Sequence, residues 1–125
     1  LAKLNQFYKC SVCGNITEVV HAGAGELVCC GQPMELLVAN TVDALREKHV
    51  PVVEKTEKGF LVKIGAVPHP MEEAHYIEWV TVYFDDDKVG HKYLKPGDKP
   101  EAEFFMNKMP TKVLIYCNLH GLWSN

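Results

Sequence analysis

The sequence has a single arginine, Arg46, and its 13 basic residues are outnumbered by 16 acidic ones, for a net charge of -3. The lysines are spread singly along the chain, so no basic stripe is available to track a phosphate backbone, and nucleic acid is not an expected partner. No apolar run approaches the roughly 18 residues of a membrane-spanning helix, so no membrane partner is expected either. The first residues, "LAKLNQFYKC", carry no apolar core or small-residue cleavage site of a secretory leader. A cytoplasmic, reducing location is therefore expected. Internal repeats and low-complexity segments are also missing.

Against these absences stand five cysteines and six histidines in 125 residues. In a reducing compartment an odd number of thiols points to ligands or nucleophiles rather than disulfides. The apolar fraction of 47% is that of a globular chain, and the length allows one ordinary domain or one modest domain with a small appendage. Four of the cysteines fall within the first 30 residues, which places a boundary soon after them. Residues 1–37 read as short strands, "QFYKC", "NITEVV" and "GELVC", in a segment too small to bury a sufficient core by itself. Residues 38–49 read as a connector with at most one helical turn over 43–48.

From there the pattern is of strands. "PVVEKTEKGFLVKIGAV" forms two around a Glu57-Lys58-Gly59 turn, and "AHYIEWVTVYF" forms a long one closed by the acidic turn "DDDKVG". "HKYLKPGDKP", "EAEFFMN" and "TKVLIYCN" supply further strands before the tail "LHGLWSN". Six or seven strands separated by turns predict an antiparallel β-sandwich over residues 38–125.

Cys10-Ser11-Val12-Cys13-Gly14 is a C-x-x-C-G knuckle, a spacing that wraps two thiolates around one cation. Its complement is the adjacent pair Cys29-Cys30. Neighbouring side chains on an extended chain point to opposite faces, so both can reach one partner only where the backbone turns, and Gly31 and Pro33 supply turn chemistry. The four thiolates predict a distorted tetrahedral site that suits zinc or iron. A dithiol redox motif would need a βαβ context, which this segment lacks. His21 reads as a solvated loop residue.

A second set comprises His49, His69, His75, Cys117 and His120. His49 precedes the first sandwich strand, His69 is held extended between prolines, His75 opens the longest strand, and Cys117 and His120 stand three apart after the last. His91 reads as a surface residue. Four imidazoles and a thiolate exceed zinc's tetrahedral need, and imidazole suits iron. Five ligands on iron leave one open position, and an anionic thiolate pushes electron density toward whatever binds there.

With both sets, the sequence resembles desulfoferrodoxin, the two-iron form of superoxide reductase. The motifs "YKCSVCGN", "GELVCCGQPM", "NTVDALREKHVPVVEK", "IGAVPHPMEEAHYIEW", "YLKPGDKPEA" and "YCNLHG" carry the resemblance across nearly the whole chain. It implies a mainly β protein, with a desulforedoxin-like domain followed by an immunoglobulin-like β-sandwich. It also implies two iron atoms per chain. Cys10, Cys13, Cys29 and Cys30 would hold the first, and His49, His69, His75 and His120 would be equatorial on the second with Cys117 axial. The implied reaction is one-electron reduction of superoxide to hydrogen peroxide without release of dioxygen. By the same resemblance, Glu47 takes the sixth position of the resting ferric site and Lys48 supplies positive charge beside the bound anion. A homodimer and a small rubredoxin-like electron donor are implied too. Ala74 and the short tail containing Leu122 depart from many relatives.

Two rivals differ in metal content. A blue-copper carrier would use two histidines and Cys117 but leave the other histidines idle. A zinc-ribbon interaction module would need only the first four cysteines.

Overall fold

The computed structural model describes residues 2–41, 49–65 and 67–125. The helical turn expected over 43–48 lies outside the described residues, as do Glu47 and Lys48. The chain divides into two compact units, Leu1–Val38 and Ala39–Asn125. Among the described residues both consist of strands and turns, with no helix.

In the first unit, β1 (Phe7–Lys9) pairs antiparallel with β2 (Ile16–Glu18) and with β5 (Glu35–Leu36), while β3 (Val28–Cys29) and β4 (Gln32–Pro33) form a separate hairpin. Among its described residues the buried apolar side chains are Phe7, Cys10 and Val19. So small a core cannot offset the conformational entropy of some 36 ordered residues at about 1–2 kcal/mol each, which is why a cross-link of some kind is physically required.

Among its described residues the second unit has seven strands: β6 (Pro51–Lys55), β7 (Phe60–Ile64), β8 (Ile77–Tyr83), β9 (Val89–Tyr93), β10 (Glu101–Phe104), β11 (Lys112–Cys117) and β12 (Gly121–Ser124). They form two antiparallel sheets, ordered β10-β7-β6 and β12-β11-β8-β9. This is an immunoglobulin-like sandwich. Alternation in β7 sends Phe60, Val62 and Ile64 into the core and leaves Leu61 and Lys63 less covered. From the other sheet come Val80, Val82, Val113, Ile115 and Trp123. Phe60 joins the ends of the two sheets, stacking on Phe104 at 5.2 Å and meeting Phe84 edge-on at 6.1 Å. The β6–β7 turn passes close beneath β10: a Cβ at Gly59 would fall on the Phe104 carbonyl oxygen, and only glycine fits there.

Two expectations are corrected. "GLWSN" is not a loose tail but contains strand β12, paired with β11 through Leu114↔Ser124, Ile115↔Trp123, Tyr116↔Leu122 and Cys117↔Gly121. Its alternation was too short to register as a strand beside the turn residues preceding it. His75 does not open β8; it sits two residues before it, in an isolated bridge with Glu72 whose two backbone hydrogen bonds are 2.9 and 3.0 Å long. "AHY" shares β8's aromatic character, but the bridge to Glu72 takes the backbone groups that a longer ladder would use.

The β11–β12 loop and a bulge shape one end of this sandwich. The β11–β8 register runs Tyr116↔Trp79 and then Cys117↔Ile77, leaving Glu78 as the extra residue of a β-bulge. Beyond Cys117 the chain reverses through Asn118, Leu119 and His120 and re-enters at Gly121, whose φ of 84° is natural to glycine. Val113, Ile115 and Cys117 share the core-facing alternation, so the fully buried Cys117 thiol emerges at the core's end.

Candidate metal centres

The adjacent cysteines owe their geometry to a tight turn. Cys29 pairs with Gln32 across the β3–β4 hairpin, and the two loop residues Cys30 and Gly31 have φ of 52° and 75°. Positive φ at both central positions is the signature of a type I′ turn, which Gly31 adopts freely and Cys30 only at some cost. Pro33, expected to help the turn, instead lies within β4. The reversal brings Cys30 Sγ to 4.0 Å from Cys29 Sγ.

On the opposite side the knuckle closes by a Gly14 N–H bond to the Cys10 carbonyl at 3.0 Å, with Gly14 at a φ of 82°. Cys13 Sγ lies 3.6 Å from Cys29 Sγ, and all four sulfurs fall within 4.8 Å of one another. A tetrahedron with metal–sulfur bonds of about 2.3 Å has sulfur–sulfur edges of about 3.8 Å, so this spacing fits a cation at the centre. It is far from the roughly 2.05 Å of a disulfide, and all five cysteines are free.

The thiols have unequal acidity. The Cys13 backbone N–H, 3.5 Å from Cys10 Sγ, heads the causes that lower the Cys10 thiol to about 6. The Cys30 thiol is pushed up to about 12, first by its side-chain interaction with Cys13, and Cys29 is raised from the same first cause. A cation taking all four as thiolates must displace those protons, so its affinity weakens as pH falls.

In the second unit, the ligand atoms of His49, His69, His75, Cys117 and His120 also lie within 4.8 Å of one another. The imidazoles form a closed ring with neighbouring centroids 4.6 Å (His49–His69), 4.7 Å (His69–His75), 5.0 Å (His75–His120) and 4.9 Å (His120–His49) apart. Each is set edge-on to the next, at 64° to 83°. His49 Nε2 lies 3.0 Å from His69 Nε2 and 3.2 Å from His120 Nδ1. Right-angled neighbours on metal–imidazole bonds of about 2.0–2.1 Å stand about 2.9 Å apart. Cys117 Sγ is 3.5 Å from His69 Nε2 and 3.8 Å from His120 Nδ1, two opposite members of the ring, and so caps one face.

Two further observations test whether a metal belongs there. His75 Nε2 is buried without a hydrogen-bond partner, a costly state for a ring nitrogen unless a cation accepts its lone pair. His69 Nδ1 lies 2.7 Å from the Pro70 carbonyl oxygen, which can only accept, so the proton sits on Nδ1 and Nε2 offers its lone pair to the cluster. Five donors of this kind exceed a tetrahedral zinc site and fit iron.

His21 and His91 stand outside both groups. His91 is exposed on β9, and its Nδ1 lies 2.8 Å from Thr81 Oγ1. Two residues that sequence reading passed over support the second cluster. Trp123 stacks on His49 at 4.6 Å with planes 14° apart and donates its indole N–H to the His120 carbonyl at 3.1 Å. Asn118 bonds the backbone on both sides of His75. The signal available for Trp123 was a large aromatic three residues after a candidate ligand; for Asn118 it was a turn-forming residue between Cys117 and His120.

A mainly β chain with one S4 centre and one His4Cys centre, consistent with two irons, defines a two-centre non-haem iron protein. The chain belongs to the desulfoferrodoxin family. Its residues 41–125 match the desulfoferrodoxin family model and residues 2–37 that of the desulfoferrodoxin N-terminal domain. It is 58% identical over 125 residues to the desulfoferrodoxin of Syntrophotalea carbinolica, covering all of this chain and 98% of that one. It is 38% identical over 97 residues to the superoxide reductase of Pyrococcus abyssi, covering 63% of this chain and 84% of the relative. Among solved structures, the superoxide reductase of Treponema pallidum superposes with a TM-score of 0.79 at 29% identity, covering 96% of each chain.

Proposed function

We propose that this protein is a superoxide reductase working at the His4Cys centre. The observation that carries the reading is the ring of four imidazoles capped on one face by Cys117 Sγ. His49, His69, His75, His120 and Cys117 would hold the catalytic iron, and Cys10, Cys13, Cys29 and Cys30 a second iron in a separate domain, with the domain boundary near residue 37. Bound in the five-ligand set, iron would supply the single electron that, with two protons, turns superoxide into hydrogen peroxide without release of dioxygen.

The chain's own groups divide the work. His49, His69 and Cys117 are buried and keep solvent from the sandwich side of the centre, while the partly exposed His75 and His120 leave a small anion access. The Pro70 carbonyl fixes the His69 tautomer, and Trp123 fixes the plane of His49. Glu47 is assigned to the sixth position of the resting oxidised site and Lys48 to local attraction of the anion, both by family resemblance and by their place directly before His49. A cytoplasmic location is supported by a thiol-rich ligand set that needs reduced cysteines. A homodimer and a rubredoxin-like donor in an electron-transfer chain are supported by the resemblance.

The deciding experiment is iron analysis together with rapid mixing of the reduced protein with superoxide. Two irons per chain and stoichiometric peroxide without dioxygen are expected; dioxygen release, or a single zinc or copper, would refute the reading.

Lys48→Ala should slow the encounter with superoxide. The net charge of -3 does not attract an anion, so steering must be local. At physiological ionic strength charges act over about 8 Å, within reach of the neighbouring residue's ligand position. Pulse radiolysis across a salt series should give a wild-type rate constant that falls with salt and a variant rate constant that starts lower and falls less. Identical slopes would return Lys48 to the ordinary surface.

A further inference from the structure

The β11–β8 ladder ends just past its bulge at Cys117↔Ile77, one residue short of the segment that carries His75. Three hydrogen bonds from Asn118 continue it. The Asn118 backbone N–H donates to the Tyr76 carbonyl at 3.2 Å, its Oδ1 accepts from the Tyr76 N–H at 2.9 Å, and its Nδ2 donates to the Ala74 carbonyl at 3.1 Å. Both side-chain ends are thus used, one on each side of His75.

The geometry points to Asn118 as a positioning residue that holds the His75 imidazole at its place in the ring relative to Cys117. Apart from these bonds, the backbone of this stretch is tied by the Glu72–His75 bridge, which lies within one turn and cannot set the distance to β11. Asn118 follows Cys117 directly, so its amide converts the position of the thiol into the position of the opposing loop. His75 Nε2 is buried and unpartnered, and its aim at the cluster depends on the backbone at 74 and 76. Removing the amide side chain leaves the ligands and the Asn118 backbone bond in place but takes away two of the three bonds that clamp the backbone around His75.

This inference rests on the reading of His75 as an iron ligand, and the test separates the two. Asn118→Ala is to be loaded with iron, and three properties measured: the electron paramagnetic resonance spectrum of the oxidised second centre, the visible absorption of the first centre, and the rate of iron loss to a ferrous chelator. A changed second-centre spectrum, an unchanged first-centre absorption and iron retention weakened by about ten- to a hundredfold are expected, the range typical of groups that orient metal ligands. General loosening of the fold would not alter the spectrum of the iron that remains bound. Asn118→Asp keeps the acceptor for the Tyr76 N–H and loses the donor to Ala74, and should give an intermediate spectrum. It decides the matter where Asn118→Ala yields no folded protein. Wild-type spectra and iron retention in the folded variants would overturn the proposal. His75→Ala is the parallel control: should its second-centre spectrum match wild type, the ligand reading of His75 itself fails.

Discussion

Cys13→Ser should abolish iron binding at the first centre and unfold much of residues 2–37 while leaving peroxide production from superoxide nearly unchanged. Cys13 Sγ stands 3.6 Å from Cys29 Sγ and is one of the knuckle's links to the β3–β4 hairpin, beside the Gln32 side-chain bond to Ser11 Oγ at 2.6 Å. Serine offers a far weaker ligand in its place, and among its described residues the first unit has only Phe7, Cys10 and Val19 as buried apolar side chains to fall back on. Structural zinc in zinc-finger peptides supplies about 10–16 kcal/mol of apparent binding free energy at neutral pH, well above the roughly 3–5 kcal/mol that the core of a unit this small can supply, and a cation held by four thiolates would play the same part here. The second centre draws every donor from residues 49–120, in the other unit. Hydrogen exchange should therefore show lost protection at the β1–β2 and β1–β5 backbone bonds and retained protection in β7, β8 and β11. Loss of superoxide reduction in a variant whose second centre is fully loaded would show that the first centre takes part in the chemistry after all.

How far the molecule was legible beforehand depended on the range of the interactions involved. The strands of the sandwich were visible because their alternation is local: Phe60, Val62 and Ile64 against Leu61 and Lys63 need no knowledge of the partner strand. Both donor sets were visible because ligand chemistry is carried by residue type, and few other roles call for four histidines and a cysteine near strand ends. What the sequence did not reveal were features set by register. Strand β12 is too short to announce itself, and its identity comes from Gly121 opposing Cys117 across a three-residue loop. The turn at Cys30-Gly31 needs a positive φ at a cysteine, which no propensity anticipates. Asn118 reads as an ordinary turn residue until the β11–β8 ladder is seen to stop beside it. These are places where the requirements of a site override local preference, as expected where function is built.

Trp123→Ala should be the most damaging single change in the sandwich, and it should act on fold and metal together. The indole is buried in the core, stacks on His49 with ring centroids 4.6 Å apart, and donates to the His120 carbonyl at 3.1 Å, so one side chain supports two adjacent members of the imidazole ring. Truncating a buried tryptophan costs about 3–5 kcal/mol, a large part of the 5–15 kcal/mol by which a domain is typically stable. Denaturant unfolding should show that loss, and iron at the second centre should fall with it while the first centre stays loaded. Trp123→Phe separates the two roles. Phenylalanine keeps a ring to face His49 and most of the volume but has no N–H for the His120 carbonyl. Its stability should drop by only about 1–3 kcal/mol, from the smaller ring and the carbonyl left without its donor. Iron retention should nonetheless weaken measurably, because His120 closes the ring between His49 and His75 and its backbone would have lost its tether. If Trp123→Phe retained iron at the second centre as wild type does while Trp123→Ala lost it, packing against His49 alone would account for the tryptophan, and the hydrogen bond to His120 would have no part in holding the site.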